Sequence, residues 1–488
     1  MRHSRIPLIW CLAGALASCS GGGNSNPPPT QGTPTPSPTG TQTPPPTSAA
    51  CSLSNRQDWA LASITEWYLF PDLLASNVNK ASHNTLDSYI DALVAPARNE
   101  GKDRFFTYVT SASEEDELIN SGATAGFGFR LTFFNDGGNL RVFIIDSFES
   151  APAYGQNIAR GDELTGIATP GQAMLMVNTL PANNNSVAQV YNALGPDTAG
   201  TTRELRIVDL GGPQRDVTLA KTDFNLEAIS PDFGAQVINN NGTQVGYINL
   251  RTFISSAGGQ ELRSAFQTFK NQGITQFVVD LRYNGGGLVS LGNLFGDMLL
   301  NDFVGQVFSR TTFRPSKSGE NSTRNIINQA QGIGAVKVAF IGSGNSASAS
   351  ELLMNAIPPY LSNNVALIGE NTFGKPVGQI GFDDSSGCDD RLRIVAFKTE
   401  NADNEGEYFN GLADTMPVTC TAFDDIFLQM GDPDEDMTST ALSWLRTNSC
   451  TAIADAPKTT QSVRTVRSRQ LLQPERPSPA QREVPGLF

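Results

Sequence analysis

Residues 342–353 read GSGNSASASELL, with Ser346, Ser348 and Ser350 at alternate positions ahead of an apolar run. A serine exposed at a strand-to-helix turn can attack a carbonyl once a base removes its proton. The usual base is histidine, but the chain holds only His3 and His83, so a Ser-His-Asp triad would rest on His83 alone. Lysine can replace it where burial favours the neutral amine. Lys375 follows the apolar stretch NVALIG and a short turn, and Gln379 stands four residues on, where its amide could orient the amine. No Gly-x-Ser-x-Gly elbow and no Ser-x-x-Lys spacing occurs, which argues against two other serine-hydrolase arrangements. Ser348 also precedes Glu351 by three residues, the spacing of a capping box, so a purely structural cap would account for it as well.

A serine nucleophile needs donors for the oxyanion that forms. DLRYNGGG (280–287) ends an apolar strand, and a glycine N–H near Gly286 could pair with the Ala349 N–H at the helix start. Asp280 and Arg282 read as a structural ion pair. The two histidines, His3 and His83, lie too far apart in the chain to be expected to converge on zinc, and the missing Cys-x-x-Cys spacing makes a metal or redox role the weaker reading of the cysteines, so no metal and no cofactor is expected.

The elements around these residues change along the chain. Residues 51–118 carry apolar residues at helical spacing, as in DWALASITEWYLFPDLLA and TLDSYIDALVAP, and predict a small helical domain. Residues 119–222 hold short strand-like runs split by NDGG, NNN and GG, and predict a β-rich domain. Residues 223–453 alternate strands and amphipathic helices, and predict buried α/β layers. The chain is therefore read as multidomain α/β.

VGYINLRTF, FVVDLRYNGGGLVS, SASASELL and IGENTFGKPVGQ occur in that order. Together they resemble the carboxyl-terminal processing, or tail-specific, serine proteases. The resemblance implies a crotonase-like core in which Ser348 is the nucleophile, Lys375 the general base and Gln379 its support. It also implies a PDZ-like domain over 119–222, with Gly126, Phe127, Gly128 and Phe129 as the peptide-carboxylate loop. The substrates implied are peptides or proteins with accessible C-termini. A non-catalytic lipoprotein of the same fold, binding peptides or apolar ligands, is the alternative.

Both ends carry their own signals. Residues 1–18 read as a signal peptide, with basic Arg2 and Arg5 before an apolar stretch too short to span a bilayer. LASC ends in Cys19, the expected lipidation site. A Pro/Thr-rich tether then runs to residue 50. This predicts a membrane-anchored protein of the bacterial cell envelope that faces the periplasm, with the outer membrane favoured. Export implies disulfides among Cys51, Cys388, Cys420 and Cys450; three pairings are open, and Cys388–Cys420 with Cys51–Cys450 is the expected one. Residues 454–488 are rich in Pro, Arg, Ser and Gln and predict a disordered tail. Its apolar ending VPGLF could instead enter the chain's own PDZ-like groove or be trimmed. Of 488 residues, 39% are hydrophobic and 17% charged, enough for a sizeable core. The net charge of −14 argues against a nucleic-acid partner. The oligomeric state is not legible.

Overall fold

The computed structural model describes residues 49–254, 257–454 and 469–488. The signal, Cys19 and most of the tether lie outside them. The described residues belong to one compact unit.

Its centre is a six-stranded sheet. The strands run Ala235–Asn240, Thr243–Asn249, Gln276–Asp280, Lys337–Gly342, Val365–Gly369 and Val418–Thr421, in that spatial order. The first pair is antiparallel and the rest are parallel. Parallel strands are covered on both faces, which is why FVVD, VAFIG and VALIG are continuous apolar runs rather than alternating ones. One face packs on the helices Gly258–Asn271, Val289–Leu299 and Ala349–Ala356 through Phe266, Phe277, Phe295 and Leu353. The other packs on Asp436–Thr447 through Met437, Trp444 and Leu445.

The helical segment is a layer of this unit. Leu53–Trp67 and Leu86–Leu93 bury Ile64, Tyr89 and Ile90 against Val377, Leu392 and Ile394 of the hairpin Val377–Asp383/Asp390–Glu400. The strand Tyr108–Ser111 joins the same sheet, with Tyr108 opposite Arg393. The β-rich region forms a seven-stranded sheet around Phe129, Leu131, Ile144 and Leu205, closed by the helix Asn184–Leu194.

Two expectations are corrected. The disulfides are Cys51–Cys388 and Cys420–Cys450. Cys51 lies at the head of the first helix, which packs on the hairpin whose turn carries Cys388. The adjacent Arg56–Asp390 ion pair fixes that approach. Cys420 lies on the edge strand of the central sheet, and Cys450 follows the helix packed beside it. Residues 469–488 of the expected disordered tail are ordered: Gln470–Leu471 pairs with Phe129–Asp136, and Leu472, Val484, Leu487 and Phe488 are buried. Its apolar residues find two clusters to enter, which a composition-based reading of disorder does not weigh. Residues 455–468 lie outside the described residues. No helix among the described residues is long and apolar enough to cross a membrane.

Candidate active site

Three neighbouring parallel strands deliver the predicted groups to one end of the central sheet. Gln276–Asp280 leads to the triple glycine, Lys337–Gly342 to the serines, and Val365–Gly369 to Lys375. Carboxyl ends of parallel strands are where open α/β sheets form ligand crevices.

The serines differ in what holds them. Ser346 is buried; its hydroxyl donates to Leu281 O at 2.6 Å and accepts from Ser343 N–H. Ser350 is buried and donates to Asn284 O at 3.0 Å. Ser348 is half-buried and begins the helix Ala349–Ala356 at φ 54°, ψ −113°. A non-glycine residue at positive φ is strained, and such strain gathers at functional sites. Ser348 and Glu351 do form the capping box. The Ala349 N–H, at the first position of that helix, makes no hydrogen bond among the described residues.

Lys375 is half-buried, and its amine donates to Gln379 Oε1 at 2.8 Å. Gln379 Nε2 in turn donates to Phe106 O. Burial holds the lysine below its ordinary pKa, opposed by the nearby Glu483 carboxylate. The ring of Phe106 faces the amine at 5.1 Å. Lys375 and Phe106 border a cleft of about 320 Å³ that also includes Ala347, Gly285 and Asn345.

Glu351 joins the two halves, a role that the capping-box spacing alone does not reveal. Its side chain is fully buried. One oxygen accepts from Ser348 N–H at 3.2 Å and Lys375 N–H at 2.7 Å. The other accepts from Gly374 N–H and the Thr372 hydroxyl, both at 2.6 Å. Burial raises its pKa and these four donors oppose the rise. Arg104 braces the same loop, donating to Gly374 O at 2.7 Å and to Phe373 O, with its guanidinium over the Phe373 ring. Arg104 and Phe106 come from the segment after the N-terminal helices, where only core packing was expected. No local pattern marks them, because their partners lie about 270 positions away.

Gly286 is where it was expected, but its N–H is engaged. A Cβ at this glycine (φ +119°) would stand 2.8 Å from Ser348 Cβ and 3.2 Å from Ala349 N. Its N–H donates to Asn284 Oδ1 at 2.9 Å, so it is not a free oxyanion donor in this state. The reason is a local turn: asparagine side chains readily accept from the backbone two residues on. Below this loop Arg282 is fully buried and bridges Asp280, Glu435 and Asp424, as a structural ion network.

Gly126–Phe129 holds Phe488. Gly128 N–H donates to the Phe488 main-chain oxygen at 2.8 Å, and Phe488 N–H to Phe129 O at 3.0 Å. A Cβ at Gly126 would lie 2.9 Å from Phe488 C, so only glycine allows this approach. Phe127 and Phe129 point into the apolar cluster that takes the Phe488 ring.

Residues 244–413 match the profile of peptidase family S41. This stretch is an S41 peptidase domain. It contains Gly286, Ser348, Glu351, Lys375 and Gln379. Among curated relatives, a chloroplastic C-terminal processing peptidase of Tetradesmus obliquus is 27% identical over 284 residues, 57% of this chain and 57% of its own length. The carboxy-terminal processing protease CtpA of Bacillus subtilis is 25% identical over 332 residues, 67% of this chain and 63% of its own. The matches thus span less than two thirds of these relatives. A solved structure of a Bacteroides fragilis protein assigned to the S41 proteases superposes with a TM-score of 0.60 at 20% identity, covering 80% of this chain and 97% of that one. That likeness establishes the mixed α/β S41 fold.

Proposed function

We propose that this chain is a serine endopeptidase that uses a Ser-Lys-Gln arrangement on peptides with accessible C-termini. The observation that carries the reading is Glu351. One buried carboxylate binds the backbone of both the strained Ser348 and the desolvated Lys375, so nucleophile and base are held as a pair. Ser348 Oγ attacks the peptide carbonyl while the neutral Lys375 amine takes its proton. The Ala349 N–H stabilises the tetrahedral oxygen at the helix start. Lys375 then gives the proton to the leaving amine. Water hydrolyses the acyl-enzyme by the same route. Gln379 holds the amine directed and supplies no proton.

In this reading the region 119–222 acts as a PDZ-like module. Gly128 N–H offers a peptide's terminal carboxylate the contact that Phe488 now makes. The two disulfides and the Cys19 lipobox support an envelope protein with exported substrates. Peptide hydrolysis by the purified mature chain, compared with Ser348→Ala and Lys375→Ala, tests the chemistry. Turnover in the unaltered chain alone is expected; equal turnover in all three removes it.

A further inference from the structure

The described end of the chain runs through the site in two contacts. After a turn at Gly486 (φ 85°), Leu487 and Phe488 line the edge of Phe129–Asp136: Leu131 N–H donates to Gly486 O at 2.8 Å, and Arg130 stands opposite Leu487 in an antiparallel bridge. Upstream, Arg482–Pro485 cross the triple-glycine loop. A Cβ at Gly285 would lie 2.7 Å from Arg482 O and 3.1 Å from Pro485 Cδ. Arg482, Glu483 and Pro485 share the cleft of Lys375. The buried Arg130 guanidinium ties the two contacts, donating to Pro485 O at 2.8 Å and to Tyr283 O at 2.6 Å.

The side chains fill two separate pockets. Phe488 packs with Phe127, Val190 and Leu194, and meets Tyr191 edge-on at 5.8 Å. Leu487 faces the other way, among Leu118, Phe148, Phe224 and Ile254. In strand addition the main chain supplies affinity and alternate side-chain pockets supply selectivity. Here both consecutive positions are apolar pockets, and Phe488 and Leu487 are only 1% and 3% exposed.

We propose that this groove selects extended peptides carrying two consecutive bulky apolar residues, and that the chain's own Arg482–Phe488 segment is its resident competitor. The selectivity rests on the groove alone; the consequence for catalysis rests on the peptidase reading above. An incoming peptide must displace the strap, which also clears the cleft beside Lys375. The strap carries a half-buried carboxylate, Glu483, into that cleft, where it favours the charged lysine, which cannot accept the serine proton.

The test uses a fluorescein-labelled peptide of sequence REVPGLF and the Ser348→Ala chain, so that binding is read without turnover. A tethered segment competes at an effective concentration of about millimolar. Binding should therefore be at least ~10-fold tighter to the Leu487→Asp/Phe488→Asp chain, whose strap no longer fits, than to the chain with its own tail. Equal affinities, or no binding to either, overturn the proposal. So does a peptide ending in two aspartates that binds as well as the original. Should the double variant fail to fold, hydrogen exchange on the unaltered tail decides. Saturating peptide should speed exchange at Gly486–Phe488 by about tenfold or more, and unchanged exchange overturns the strap. In the chain that keeps Ser348, the same double substitution should raise kcat/KM on a peptide reporter by about tenfold. Competition without any turnover would support the strap while removing the peptidase reading.

Discussion

Ser346 and Ser350 spend their hydroxyls on carbonyls of the neighbouring strand end, whereas the Ser348 hydroxyl makes no such donation among the described residues. Replacing Ser348 or Lys375 by alanine is expected to lower kcat by about 10⁴-fold or more, since paired groups fail together. Burial lowers the Lys375 pKa, so the neutral amine that the proposed mechanism requires is present above that lowered value. kcat/KM should accordingly rise with pH through one ionisation that lies below the ordinary lysine range. Glu351 is a positioning residue, and its charge raises the lysine pKa. Glu351→Gln should therefore move that rising limb to lower pH, a shift that loss of packing alone would not produce. Glu351→Ala should do more harm, because it leaves four donors unmatched at about 1–3 kcal/mol each. Residue type and spacing singled out Ser348, Lys375 and Gln379 as candidates. The brace formed by Glu351, Arg104 and Phe106 was not legible, because its partners are set by tertiary contact.

At the scale of elements, the site depends on three strand ends and on a glycine that lets two of them meet. Gly286→Ala would put a methyl group at 2.8 Å from Ser348 Cβ with φ at +119°. We expect a fall in kcat of roughly 100-fold, as for a misplacement of about 1 Å, with peptide binding by the Ser348→Ala form unchanged. Activity assays paired with the anisotropy titration check this. The alternation of apolar strands with amphipathic helices was readable because burial on both faces leaves continuous apolar runs. The disulfide partners were not readable: spacing along the chain says nothing about which loop meets which helix. The tail was misread for a related reason. VPGLF is too short to make a core of its own, and its order comes from pockets already built by Phe127, Phe148 and Phe224.

At the scale of the molecule, buried ion pairs tie the β-rich region to the core. Arg160 reaches Asp424, which also receives Arg282 and the Tyr283 hydroxyl. Asp424 is held well below the ordinary carboxylate range by these two arginines, against the cost of its burial. Its folded pKa is depressed, so its contribution to stability is present above the unfolded aspartate value and is lost as pH falls through the folded one. Arg282→Ala strands Asp280 and Glu435 and should cost about 3–5 kcal/mol, measured by urea denaturation. The Cys51–Cys388 bond closes a loop of 337 residues. Its removal by Cys51→Ser/Cys388→Ser should cost about 2–5 kcal/mol, read in the same way.

The pairing of residues 486–488 with 129–131 also bears on the order in which the molecule is made. Synthesis runs from the amino end, and domains fold as they emerge. The groove strand Phe129–Asp136 is therefore complete while most of the S41 domain is still unmade. Throughout that interval its edge is unpaired and its aromatic pocket open to any extended apolar segment nearby. The strap is the last of the described segments to appear, so this edge is among the last in the molecule to be paired.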